Sequence, residues 1–182
     1  GVSNDLLQIG DSAPLTNYKM EDISGLEVDL ASLQKENGLV VIFSCNTCPF
    51  VIAWEDRYNL IAEQCNKSNV GLVAVNSNEA KREGDDSKEA MKSHAKEKGY
   101  NFKYVVDANS ELAKAFGATK TPQVFLLDKD LKLVYTGAID DNLKNAEKVE
   151  HYYLKDAINN LIAGKKIDPN VTKALGCSIK KV

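Results

Sequence analysis

Residues 39–43, Leu-Val-Val-Ile-Phe, form an unbroken apolar run after Gly38, and six residues further on the pattern changes period. The run has the length and β-branched content of a strand buried on both faces. From Pro49 onward, Val51, Trp54, Tyr58, Ile61 and Cys65 recur every three or four positions, the spacing of a helix with one apolar stripe. Pro49 suits a first helical turn, where its missing N–H leaves nothing unpaired. A buried strand leading directly into a packed helix points to an α/β chain.

The pattern continues in alternation. A second strand is expected over 70–75, a helix over 87–98 with Asp86 and Glu89 as a capping box and Gly99 as its end, a short strand over 104–106, and a helix over 110–116 closed by Gly117. Pro122 then precedes a strand over 123–127, Asp128-Lys129-Asp130 turns the chain into a strand over 131–135, and a final amphipathic helix is expected over 146–163. Near the start, apolar alternation on either side of Gly25 suggests a short hairpin leading into a helical turn over 31–34. The charged stretch 76–86 reads as an exposed connection. The fold class that follows is α/β, a central mixed β-sheet with helices on both faces.

With 182 residues, 43% hydrophobic and 27% charged, the chain has the size and composition of one folded domain, 1–182, in which 164–182 is a C-terminal tail. A net charge of −3, with 23 basic residues dispersed along the chain, argues against nucleic acid as a partner. No apolar run is long enough to span a membrane. The first residue is Gly1 and not Met, which reads as a processed or appended end; a removed signal peptide, and with it export to the periplasm, is slightly favoured over a cytoplasmic location.

Two of the four cysteines form Cys45-Asn46-Thr47-Cys48, just beyond the carboxyl end of the buried strand, where open α/β sheets place reactive groups. Four cysteines are too few and too unevenly spaced for a disulfide-stapled scaffold, so redox chemistry is the first reading. Backbone N–H groups at the start of the following helix would favour thiolate on Cys45 and lower its pKa, which makes Cys45 the candidate nucleophile. Cys48, one turn on, is the candidate resolving thiol. A closed zinc site would need two further donors, and Cys65, Cys177, His94 and His151 contain no second paired motif, so no metal or organic cofactor is expected. Copper held by the two thiolates and a distant histidine is a minor branch, and His151 is more simply an exposed residue of the last helix.

Taken together, Phe43-Ser44-Cys45-Asn46-Thr47-Cys48-Pro49-Phe50, Ala74-Val75-Asn76-Ser77-Asn78, Gly117-Ala118-Thr119-Lys120-Thr121-Pro122 with Phe125-Leu126-Leu127-Asp128, and Gly176-Cys177-Ser178-Ile179-Lys180 carry a family likeness over nearly the whole chain. The sequence resembles the thioredoxin superfamily, and within it the redoxin branch that includes alkyl hydroperoxide reductase-like and thiol-disulfide proteins. That resemblance implies a thioredoxin-like fold, with Pro122 a cis-proline facing the cysteine pair and the Thr121 backbone free to hydrogen-bond an extended substrate. It also implies thiol-disulfide exchange with protein or small-molecule substrates and an external electron donor.

Two features depart from relatives. The dipeptide between the cysteines is Asn46-Thr47 where thioredoxin itself has Gly-Pro, and the strand over 39–43 lacks the buried acid, which leaves the proton acceptor for Cys48 unidentified. Three residues before Cys45 stands Ile42, where the peroxidase pattern has a hydroxyl, so thiol peroxidase ranks second and a non-catalytic binding or metal-carrier module third. Cys65, at the end of the helical stripe, is expected to be a buried inert thiol. Cys177 has three readings: a packing residue, an additional redox centre exchanging with Cys45 or Cys48, or an exposed thiol.

Overall fold

The computed structural model describes residues 5–182; Gly1, read above as a processed end, lies outside them. A short hairpin, β1 (Met20–Asp22) and β2 (Glu27–Val28), leads into α1 (Leu30–Leu33), and the apolar run becomes β3 (Leu39–Ser44). Next come α2 (Pro49–Trp54), a 3-10 turn, α3 (Tyr58–Lys67), β4 (Gly71–Asn76), α4 (Lys88–Lys98), β5 (Lys103–Val106) and α5 (Glu111–Phe116). The chain ends with β6 (Lys120–Thr121), β7 (Gln123–Leu127), β8 (Leu133–Gly137), α6 (Tyr153–Ile162) and β9 (Cys177–Ser178).

Seven strands form one mixed sheet in the order β2-β1-β5-β4-β3-β7-β8. β3 is central and buried along its length, parallel to β4 and antiparallel to β7. Its side chains alternate between two cores, as a period of two requires. Val40 and Ile42 pack with Val51, Trp54, Tyr58 and Ile158 from α2, α3 and α6. On the opposite face Val41 and Phe43 meet Leu30, Leu112 and Phe116 from α1 and α5. Among the described residues, no helix is long and apolar enough to cross a membrane.

Three expectations change. Asp86 does not cap α4: the N-cap is Ser87, whose hydroxyl accepts the Ala90 N–H at 3.0 Å, while the Asp86 carboxylate turns inward to three asparagines. The last helix starts at Tyr153, later than the apolar spacing suggests. Asp141 accepts the Glu150 N–H and donates its own N–H to the His151 carbonyl, holding 150–151 out of helical geometry. His151 therefore precedes α6 and stacks on Tyr153.

The C-terminal tail over 164–182 packs on the domain. Thr136 N–H donates to Asn170 O and Thr172 N–H to Thr136 O, which fixes the segment beside β8. β9 then pairs antiparallel with β6, so that Thr121 lies opposite Cys177.

One buried polar network joins the helices below the cysteines to the loop after β8. Trp54 Nε1 donates to Asp140 Oδ1 at 2.9 Å, and Arg57 Nη1 donates to both Asp140 oxygens at 2.8 Å. Arg57 also donates to the Asn142 carbonyl.

Candidate active site

β3 delivers Cys45 to the carboxyl end of the central strand, and the chain leaves the strand as a tight loop before α2. Cys48 is the N-cap of that helix, with extended backbone, and so lies at its threshold and not a turn inside it. Asp86 organises the loop. Its Oδ1 accepts the Asn46 N–H at 3.0 Å and Asn76 Nδ2 at 2.8 Å, and its Oδ2 accepts Asn78 Nδ2 at 3.1 Å. Asn46 is held again through its side chain, donating to Asp85 O and accepting from the Tyr104 hydroxyl at 2.7 Å. Asn46, the first residue between the cysteines, is thereby anchored by hydrogen bonds.

Thr121, before the cis bond to Pro122, faces both sulfurs. Its Oγ1 is 3.5 Å from Cys45 Sγ, and its carbonyl oxygen is 3.4 Å from Cys48 Sγ. Cys48 is joined by a disulfide to Cys177, with the Cα atoms 6.1 Å apart, while Cys45 is a free thiol. The structure thus brings Cys45, Cys48, Thr121, Pro122 and Cys177 together but does not bond Cys45 to Cys48. The reason is topological: the β6–β9 register sets Cys177 opposite Thr121, within bridging distance of Cys48.

Cys45 and Cys48 are only 2% and 5% exposed, so access runs through a cleft of about 190 Å³ whose walls include Asn78, Asp86, Cys177 and Lys180. Burial pushes the Cys45 thiol above its ordinary range; the Thr121 hydroxyl opposes the shift, the Asp86 carboxylate adds to it, and the Cys48 and Thr47 N–H groups oppose it. The expected depression of this pKa is therefore reversed, because desolvation outweighs the backbone dipoles. Cys65 is buried in α3, its thiol pushed up to about 12 by desolvation. His94 is engaged elsewhere, with Glu55 at 2.7 Å.

A pH dependence follows. Thiolate is the reactive form, so iodoacetamide labelling of Cys45 should be slow at pH 7 and rise about tenfold per pH unit to beyond pH 9. Mass spectrometry of the labelled peptides should show Cys65 trailing Cys45 throughout. A Cys45 rate already level below pH 7 would contradict the upward shift.

Asp86 is the residue that local sequence reading misses as part of the site. Its only signal was proximity to a helix start, which it shares with any N-cap.

The Redoxin family model matches residues 8–150. Thiol-disulfide oxidoreductase ResA of Bacillus thuringiensis is 24% identical over 133 residues, which cover 73% of this chain and 71% of that protein. An uncharacterized conserved protein from Geobacillus kaustophilus superposes with a TM-score of 0.90 at 34% identity, over 97% of this chain and 94% of the other. Peroxidoxin BcpB from Mycobacterium tuberculosis, at 15% identity and a TM-score of 0.67 over 86% of this chain and 97% of its own, shares the fold. With a mixed sheet flanked by helices, a cysteine pair at the end of its central strand, and a family match over most of its length, this thioredoxin-like chain belongs to the Redoxin family.

Proposed function

We propose that this protein is a thiol-disulfide oxidoreductase in which Cys45 attacks and Cys48 resolves. The observation that carries the reading is the placement of both sulfurs against Thr121, beside a strand edge that here pairs with the chain's own β9 in the manner of an added peptide strand. In the reduced enzyme, Cys45 thiolate attacks a substrate disulfide, forming a mixed disulfide and expelling one substrate thiolate. Cys48 thiolate then attacks the Cys45 sulfur, closing Cys45–Cys48 and releasing the second substrate thiolate. The substrate gains two electrons, the enzyme loses two, and an external thiol donor restores it. The reaction calls on no metal or organic cofactor. Protein or small-molecule disulfides are the substrate class.

Peroxide reduction is the second reading, and Ile42 weighs against it: this side chain is buried in β3 and supplies no hydroxyl. Insulin reduction measured beside hydrogen peroxide consumption tests the assignment. Insulin turnover well above the dithiothreitol background, with peroxide turnover at least about tenfold lower, is the expected result. Peroxidase-level turnover that vanishes in Cys45→Ser would transfer the assignment to peroxidase, and inactivity in both assays would leave a binding module.

A further inference from the structure

The segment that covers the active site is part of the same chain. We propose that Cys177 is a third exchanging thiol, carried on an internal substrate-like strand that docks on the Thr121 edge and takes over the disulfide from Cys45–Cys48. The inference rests on the exchange chemistry proposed above and extends it.

Contacts on two sides seat the strand. β9 pairs with β6 in the antiparallel manner of an added peptide strand, Thr121 opposite Cys177. Beyond it, Ile179 N–H donates to Thr119 O at 2.9 Å. On the other side Lys180 N–H donates to Asn78 Oδ1 at 2.9 Å and its carbonyl accepts the Ala80 N–H at 3.0 Å. Asn78 in turn donates to Asp86, so the carboxylate that fixes the Cys45 loop also fixes the docking site of the strand. Gly176 marks how close the approach is: a Cβ there would stand 2.2 Å from the Thr121 carbonyl oxygen, which leaves room for glycine alone. Cys177 lies beyond residues 8–150, which the family model matches.

The exchange balances without any added oxidant. After one catalytic cycle the enzyme holds Cys45–Cys48 and a free Cys177. Cys177 thiolate attacks Cys48 Sγ, the Cys48–Cys177 bond forms, the Cys45–Cys48 bond breaks, and its electron pair leaves on Cys45, which takes up the proton that Cys177 gave up. The product is the arrangement in the structure, with Cys45 a buried thiol and the peptide-pairing edge of Thr121 occupied. Reduction of Cys48–Cys177 would free that edge for an external substrate.

The test oxidises fully reduced full-length chain with oxidised dithiothreitol, quenches in acid at intervals, alkylates, and maps disulfides by mass spectrometry. Cys45–Cys48 should form first and Cys48–Cys177 should then replace it. Cys177→Ser should stop at Cys45–Cys48. Gly176→Ala, which touches no sulfur, should lower the ratio of Cys48–Cys177 to Cys45–Cys48 at least about tenfold. As a second measurement, amide hydrogen exchange at Ile179 and Lys180 in the wild-type chain should be at least about tenfold slower in the Cys48–Cys177 form than in the reduced form. Absence of Cys48–Cys177 at every time point, or equal exchange in both forms, overturns the proposal. Normal insulin turnover with no Cys48–Cys177 would remove the relay and leave the oxidoreductase assignment standing. The two disulfides replacing one another in a chain inactive on insulin would do the reverse.

Discussion

Chains carrying Cys48→Ser together with Cys177→Ser should accumulate a mixed disulfide on Cys45 when incubated with a disulfide substrate, whereas Cys45→Ser should lose insulin reduction by on the order of a thousandfold or more. Cys45 follows the buried end of β3, has the Thr121 hydroxyl at 3.5 Å, and is the free thiol of the site. The resolving thiol Cys48 and its neighbour Cys177 are both absent from the double variant, so the adduct should persist. Non-reducing gels and mass spectrometry of the adducted peptide provide the readout. Comparison with Cys48→Ser alone adds a further distinction: Cys177 points toward Cys48, so its presence should leave most of the adduct in place. Adducts gathering on Cys48 in the Cys45→Ser chain would reverse the two roles.

The second large effect concerns stability. Asp140→Ala should destabilise the fold by about 3–5 kcal/mol, because it leaves a buried guanidinium without its carboxylate. Arg57 and Asp140 are 7% and 4% exposed, so water cannot replace the missing partner, and the Trp54 indole N–H loses its acceptor as well. For a chain of this size the melting temperature should fall by about 6–20 °C. Asp140→Asn keeps an acceptor for Trp54 and should fall between the two. Thermal unfolding followed by circular dichroism decides it, and a change below about 1 kcal/mol in Asp140→Ala would show the network to be dispensable. The network ties the 3-10 turn between α2 and α3 to the loop after β8, so its loss should also loosen α2, the helix that Cys48 caps.

The parts of this fold legible in the sequence are those that local pattern determines. The uninterrupted, β-branched run at 39–43 has the length of a buried strand, and the apolar residues from Val51 to Cys65 pack into one core from α2 and α3, although a 3-10 turn that the spacing does not show separates the two helices. Asp86 was read as a cap because a helix does begin beside it; its actual partners, Asn46, Asn76 and Asn78, come from other segments, and no local period encodes them. β9 has two residues, too few for alternation to register. Cys177 stood out as a cysteine with three open readings, since its pairing with Cys48 depends on a register between β6 and β9 that only the folded chain creates. The Cys45 pKa departs from the local pattern for a related reason: the nearby N–H groups are visible in the sequence, but the depth of burial that outweighs them is not.

The position of the disulfide has a consequence for the unfolded chain. Cys48 and Cys177 are 129 positions apart, so their bond closes most of the polypeptide into a loop and removes chain entropy from the denatured ensemble equivalent to about 5 kcal/mol. Moved to Cys45 and Cys48, the same bond closes a loop three positions long, and the unfolded chain recovers roughly 3 kcal/mol of that freedom. Denatured chains therefore favour the short loop, and only the folded contacts around Thr121 hold the long one. On the relay proposed above, the position of the bond reports whether the chain is folded: global unfolding favours its return to Cys45–Cys48 by this difference in loop entropy, without any change in the surrounding redox potential.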